Sequence, residues 1–335
     1  MQFGPVPLHM AQGAILAHSV ALADGRLRKG CILGPADLAR LQAAGLTTVT
    51  VARLDPGDVP EDGAATRLAT ALVPDPAGAG LALSQAHTGR VNLNAAYPGI
   101  LAFDPAAIHA LNRVHPAITL ATLPPLARVA PGQLSATVKI IAYAVPEAAL
   151  EKACNLARNA LRVLPVRHRT ASLILTQVPD LAPKLAAKGR RAVEARLTAL
   201  GITLADCVTV PHQTAAVASA LAAARGEMLL ILTGSATSDL HDTAPEAVRA
   251  AGGTVLRFGM PVDPGNLLFL GNLGERPVIG LPGCARSPAL NGADWVLERL
   301  ACGIQLGDDD IAEMGVGGLL KEIPIRGRLR ETGPE

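Results

Sequence analysis

Apolar residues along this chain come in short runs separated by stretches of helical spacing, and the alternation is most regular from residue 171 onward. The runs at 172–176, 205–210 and 227–232 are continuous enough to predict strands buried on both faces of a parallel sheet. Helical stretches at 186–200 and 214–225 separate them. A further helix at 243–251 leads to a strand at 253–258, a hairpin pair at 267–270 and 277–281, and a last helix over 285–300. Such a βαβα order predicts a doubly wound sheet that receives ligands at the C-terminal ends of its strands.

The first half is less regular. Pro35 opens a predicted helix over 36–44, Gly45 closes it, and the β-branched run 46–51 predicts a strand. Helical spacing returns at 62–73 and a Pro/Gly-rich loop follows at 74–80. Strands are expected at 99–103, 117–121 and 136–143, with a helix at 105–113. Pro146 starts a helix that the pattern extends from Glu147 to Arg162. The predicted organisation is a small N-terminal α/β unit (1–58), a mixed α/β segment (59–146), a linker helix (147–167), an independently folding three-layer α/β/α domain (168–303) and a C-terminal tail (304–335). The fold class is therefore α/β, with the smaller mixed region in front.

Charge and cysteine content narrow the function classes. Thirty Lys+Arg against 28 Asp+Glu leave a formal charge of +2, which gives no electrostatic reason to expect nucleic acid or an acidic membrane as partner. The five cysteines are odd in number and contain no C-x-x-C pair, so reduced thiols are expected rather than a zinc or redox site. No basic segment leading into an apolar one opens the chain, and no apolar run is long enough to span a bilayer, so a cytoplasmic protein is expected. The eight histidines show no metal-ligand spacing; His168, His212 and His241 are placed at helix ends or on the surface.

Three loops carry the candidate chemistry. In the first, Gly234 permits a tight turn while Thr233, Ser235, Thr237 and Ser238 supply hydroxyls just before a helix. Small residues, backbone N–H groups and a helix N-terminus suit an anion, and the same segment also reads as an N-cap. The second and third place Pro264-Gly265 with Asn266, and Pro282-Gly283 with Cys284, at strand boundaries, where a type II turn is the simple reading. In the mixed segment, Arg90 and Asn92 in the polar turn expected at 88–93 either grip an anion or serve a structural salt bridge. Lys139, in an apolar strand, is either functional or a guard on an edge strand.

The ordered stations T-G-S-x-T from Thr233, Asp242, D-P-G-N from Asp263 and G-L-P-G-C-A from Gly280 resemble the molybdopterin-binding domain of molybdopterin molybdotransferases and molybdopterin adenylyltransferases. There the stations read roughly T-G-G-x-S-x-G-x-x-D, P-G-K-P and G-L-P-G-N-P. The resemblance covers residues 168–303 and implies a domain that binds the dithiolene and phosphate end of molybdopterin. It assigns the ligand to Thr233, Gly234, Ser235, Thr237, Ser238, Pro264, Gly265, Asn266, Pro282, Gly283 and Cys284. Asp242, at the acidic station, is implied as the catalytic carboxylate and the ligand of a metal ion, with Mg2+ and molybdate as the ions concerned.

Four positions depart from the pattern: Ser235 and Asp239 replace glycines, Asn266 a lysine and Cys284 an asparagine. The early T-G-D/E station is replaced by 176–180, Thr-Gln-Val-Pro-Asp. A lysine lost and an aspartate gained make the site less positive. The stretches 11–17, 28–33 and 38–51 look like the opening of the insertion proteins. The whole chain is similar to the front portion of bacterial proteins that join such a domain to a cofactor nucleotidyltransferase. The implied function is molybdenum cofactor biosynthesis, by molybdate insertion or by preparing the cofactor for nucleotide attachment, with a non-catalytic cofactor carrier as the alternative. A related domain of competence/damage-inducible proteins fits less well, since residues 236–242 lack its proline. Implied partners are a small pterin ligand, a separate nucleotidyltransferase chain and further copies in a homo-oligomer.

Overall fold

In the first half, β-branched and alternating segments form small antiparallel sheets, and the apolar helix faces pack on them. The computed structural model describes residues 1–179 and 183–320. Asp180 and residues 321–335 of the expected tail lie outside the described residues. The chain forms two compact units, one of residues 1–97 and 101–164, the other of 98–100 and everything from 165 onward.

In the first unit, Gln2–Pro7 pairs antiparallel with Thr48–Arg53, which also pairs with Ile15–Leu16. Leu16, Leu33, Leu41 and Val51 are buried together beneath the helix Pro35–Ala43. A four-stranded antiparallel sheet follows in the order Ile118–Thr122, Leu134–Ile140, Arg90–Ala95, Leu81–Leu83. The helices Glu61–Leu72 and Glu147–Leu156 bury Leu68, Leu72, Leu150 and Ala153 in the same core as Leu93 and Val138 of that sheet.

Three expectations for this unit need correction. The helix expected to reach Arg162 stops at Leu156, and Arg162–Pro165 is a strand. Asn159 adopts a left-handed φ of 54°, which the helix cannot accommodate. Arg90 and Asn92 belong to a strand; only the turn at Thr88 and Gly89 is a loop, closed by His87 and Arg90. Lys139 does not guard an edge: its strand lies between two others, and its Nζ donates to the Thr88 carbonyl.

The second unit contains the strands of a six-stranded sheet and its flanking helices. They are β1 (Thr170–Gln177), α1 (Pro183–Ala199), β2 (Thr203–Pro211), α2 (Thr214–Ala223), β3 (Met228–Leu232), α3 (Thr243–Ala250), β4 (Thr254–Phe258), β5 (Phe269–Leu273), β6 (Arg276–Leu281), α4 (Gly292–Ala301) and α5 (Asp308–Glu313). The sheet order is β2-β1-β3-β6-β5-β4. The first four strands are mutually parallel, β5 runs against β6, and β4 runs against β5. Two reversals bring β4 back into the direction of β6, so the loops after β1, β2, β3, β4 and β6 all leave from one edge of the sheet.

Alternation along the strands explains the three layers. Ile174, Leu229, Ile231, Phe269 and Val278 pack with Val217 and Leu221 of α2 and Ala244 and Val248 of α3. The intervening Leu173, Leu230 and Ile279 are equally buried and face the other side, where α1 and α4 bury Val193, Leu197, Val296 and Leu297. Fully apolar strands are what two covered faces require. The helix expected over 285–300 is divided: Gly283–Arg286 is a short 3-10 turn, and α4 begins at Gly292 behind the cap Asn291.

Candidate functional site

The parallel strand ends are drawn together by hydrogen bonds that begin at a threonine on β1. Thr176 is 2% exposed, and its Oγ1 accepts the Gly234 N–H at 2.7 Å. The same oxygen shares a 2.9 Å hydrogen bond with His212 Nδ1, so one hydroxyl ties together the ends of β1, β2 and β3. A Cβ on Gly234 would stand 2.6 Å from the Thr176 carbonyl oxygen. Glycine at 234 is therefore required by close approach to the neighbouring strand rather than by a left-handed turn.

Beyond Gly234 the loop splits by exposure. Thr233 and Thr237 are buried, whereas Ser235 and Ser238 are exposed. Asp242 caps α3: one carboxylate oxygen accepts the Thr243 N–H at 2.6 Å, the other the Ser238 N–H at 2.9 Å. The carboxylate thus fixes the loop on which the hydroxyls stand. Among the described residues no three His, Cys, Asp or Glu side chains converge to hold a metal ion. A resident metal does not fit this donor set; a hard cation here would need oxygens brought by the ligand.

The second loop folds back on the third. Gly265 has a φ of 146°, and a Cβ there would meet Gly292 N at 2.8 Å, while Gly292 donates its N–H to the Pro264 carbonyl at 2.8 Å. Asn266 is exposed and closes its own loop, Nδ2 donating to the Met260 carbonyl at 3.4 Å. The tail also reaches this loop: Asp263 donates its N–H to Gly318 O and accepts from Leu320 N, both at 2.9 Å. Gly265, at 146°, is far from the φ of about 80° that a type II turn needs, and Gly283 has no positive φ; it is exposed and opens the 3-10 turn, with Cys284 partly buried behind it.

Two arginines that the sequence pattern did not single out complete the geometry. Arg196 of α1 pairs with Asp294 at 2.5 Å, and its terminal nitrogens donate to the carbonyls of Ala192, Ala285, Ser287 and Ala289 at 2.8–3.1 Å. Asp294 in turn accepts the Asn291 N–H at 2.8 Å, so the third loop is held from outside. Arg286, on that loop, donates to the Thr233 carbonyl and at 3.4 Å to that of Gly283, linking the first loop to the third. Its stem lies against Gly189 of α1, where a Cβ would come within 3.3 Å of Arg286 Cγ. Thr176 and His212 also went unassigned, although the departure at 176–180 marked the strand end.

A cavity of about 380 Å3 opens at this edge, lined by residues of the β1 and β2 ends including Gln177, Pro179, His212 and Gln213. A larger one, about 590 Å3, lies at the opposite edge between His168, the β5–β6 turn and the segment after α4. None of the three loops lines either cavity; the smaller one lies at the sheet edge from which the loops leave, and that edge is the candidate site. No disulfide joins any of the five cysteines. Burial raises the Cys302 thiol to about 12, which leaves it unreactive at neutral pH. No helix among the described residues is long and apolar enough to cross a membrane.

Residues 184–301 match the family model described as a probable molybdopterin binding domain, a span that contains all three loops, and residues 5–53 match a domain of unknown function. No curated protein sequence matches the chain. Among solved structures, it is similar to a molybdopterin biosynthesis moea protein from Pyrococcus horikosii at 13% identity and a TM-score of 0.32, covering 90% of this chain and 75% of that one. A molybdenum cofactor biosynthesis protein B is similar at 14% identity and a TM-score of 0.31, covering 41% of this chain and 96% of that one.

Proposed function

We propose, from the match of residues 184–301 to the probable molybdopterin binding domain, that this chain binds molybdopterin and serves molybdenum cofactor biosynthesis. The observation that carries the reading is topological: the three matched loops leave one sheet edge and are tied to one another through Arg286 and through Gly292. A doubly wound sheet binds ligands at that edge.

Thr233, Ser235, Thr237 and Ser238 offer hydroxyls, and Gly234 a surface without a side chain, to the phosphate end, next to the N-terminus of α3. Pro264, Gly265 and Asn266 on one side and Pro282, Gly283 and Cys284 on the other shape the walls. Asp242 orients the first loop and is the carboxylate that a Mg2+ ion arriving with the ligand's oxygens would meet. Molybdate is the substrate if the reaction is insertion. The engagement of both Asp242 oxygens by backbone N–H groups favours a second reading, in which the protein carries or shields the cofactor without turning it over. Homo-oligomerisation and a separate nucleotidyltransferase partner belong to the same proposal.

Anaerobic titration calorimetry of the full chain with metal-free molybdopterin, with and without Mg2+ and molybdate, tests it. Stoichiometric binding is expected. Release of an altered pterin would make the protein an enzyme, unchanged ligand a carrier, and absence of binding under every condition would overturn the reading.

A further inference from the structure

The two arginines of the third loop differ in a way that points to a ligand. An arginine carries five N–H donors and no acceptor. All five of Arg196 are used: Nε pairs with Asp294, and the two terminal nitrogens reach four carbonyl oxygens. Its charge is matched by a carboxylate that is itself about 10% exposed. Arg196 is a structural staple.

Arg286 uses two donors, both toward neutral carbonyl oxygens of Thr233 and Gly283. Its Nε is shielded from solvent and has no partner, and among the described residues no carboxylate pairs with it. Burial pulls the guanidinium below its ordinary pKa, and among the described residues no acidic neighbour raises it again. Withdrawing a charge from water without a counter-charge is costly, and a fold keeps such a group where an anion completes it. The same loop holds a second buried donor without an acceptor, Asn291 Nδ2. Both orphans are donors, so what is lacking is acceptor oxygen.

Position strengthens the case. The guanidinium stands between the carbonyls of Thr233 and Gly283, the junction of the first and third loops, and Gly189 leaves room for its stem. The lysine that the family pattern places in the second loop is Asn266 here. We propose that Arg286 supplies the fixed cation of this site and binds the phosphate monoester of the ligand as its dianion, through the N–H groups left open by Thr233 and Gly283. This rests on the molybdopterin reading above. It adds that the charge comes from the third loop, and that recognition has the planar, two-point geometry of a guanidinium rather than the point charge of an ammonium.

The test follows molybdopterin, inorganic phosphate and molybdate binding by anaerobic calorimetry between pH 5.5 and 7.5, for wild type, Arg286→Lys and Arg286→Gln. A phosphate monoester gains its second charge near pH 6. Wild-type affinity for molybdopterin should therefore rise across this window. Arg286→Gln should bind ten- to a hundredfold more weakly and lose the rise, and Arg286→Lys should keep the rise at reduced affinity. Removing the link to Thr233 could loosen the loops by itself, and a purely structural loss would lower affinity without flattening the pH dependence. Unchanged affinity, or an unchanged pH dependence, in Arg286→Gln would overturn the proposal. If wild type ignores molybdopterin yet binds inorganic phosphate or molybdate through Arg286, the cation stands and the molybdopterin reading falls. If molybdate alone depends on Arg286 while molybdopterin binds equally to all three proteins, the phosphate assignment is overturned.

Discussion

The two Pro-Gly loops, at Pro264-Gly265 and Pro282-Gly283, share a dipeptide and a sheet edge but are held in opposite ways. The first is held from within: Gly265 needs both its φ of 146° and its missing Cβ, because the backbone of Gly292 lies against it. The second is held from outside, by Arg196 and Asp294, and its own glycine is exposed with no clash at the Cβ position closer than Arg286 Nη1 at 3.3 Å. A dipeptide thus tells where a chain bends and says little about what keeps it bent. In one loop the glycine is the constraint; in the other it is a hinge for the residues it delivers, Cys284 and Arg286.

Substitutions at four positions test that contrast. Arg196→Met should have the largest effect, a loss of about 3–5 kcal/mol in urea unfolding, the usual scale for stranding the partner of a buried ion pair. A loss below about 1 kcal/mol would mean that the third loop holds itself. Gly265→Ala should cost about 1–3 kcal/mol, the range for forcing an extra carbon into close-packed surroundings. Asp242→Ala, which removes the acceptor of two loop N–H groups, should cost about 1–2 kcal/mol. Asp242→Asn, which keeps one acceptor oxygen, should recover part of that. Gly283→Ala should leave stability within about 0.5 kcal/mol, as expected for an exposed position that meets only a flexible side chain. If Gly283→Ala proved as damaging as Gly265→Ala, the two loops would be held alike and the contrast would fail.

The pattern of apolar runs located the strands of the six-stranded sheet to within a few residues; β1, β3 and β6 are covered on both faces and read as unbroken apolar segments, whereas the edge strands β2, expected to be buried on both faces, and β4 are half-exposed. It failed where conformation depends on a partner. The division of the expected last helix at residues 287–291 is marked locally by Pro288 and the Asn291–Asp294 capping box, and it is held by the carbonyls of Ser287 and Ala289 turning toward Arg196, 91 and 93 positions away. The extension of the linker helix beyond Leu156 failed for the same reason: nothing in the composition of 157–162 forbids a helix, and Asn159 turns the chain out of it, donating its N–H to Ala71 O.

The candidate site was legible as three loops and illegible as a charge distribution. Thr233, Gly234 and the two Pro-Gly pairs are visible because hydroxyls, glycines and prolines carry local conformational rules. Thr176, Arg196 and Arg286 are common residues in unremarkable settings, and their roles arise from what stands opposite them.

Sequence alone determined the α/β class, the strand positions of the second unit's sheet and the stations of the three loops, because apolar runs and turn chemistry are written in neighbouring residues. Tertiary structure alone decided which glycine is indispensable, which arginine is satisfied and which is left with open donors. Those properties depend on distances between segments far apart in the chain, and a guanidinium is structural or ligand-binding according to the oxygens that the fold places around it.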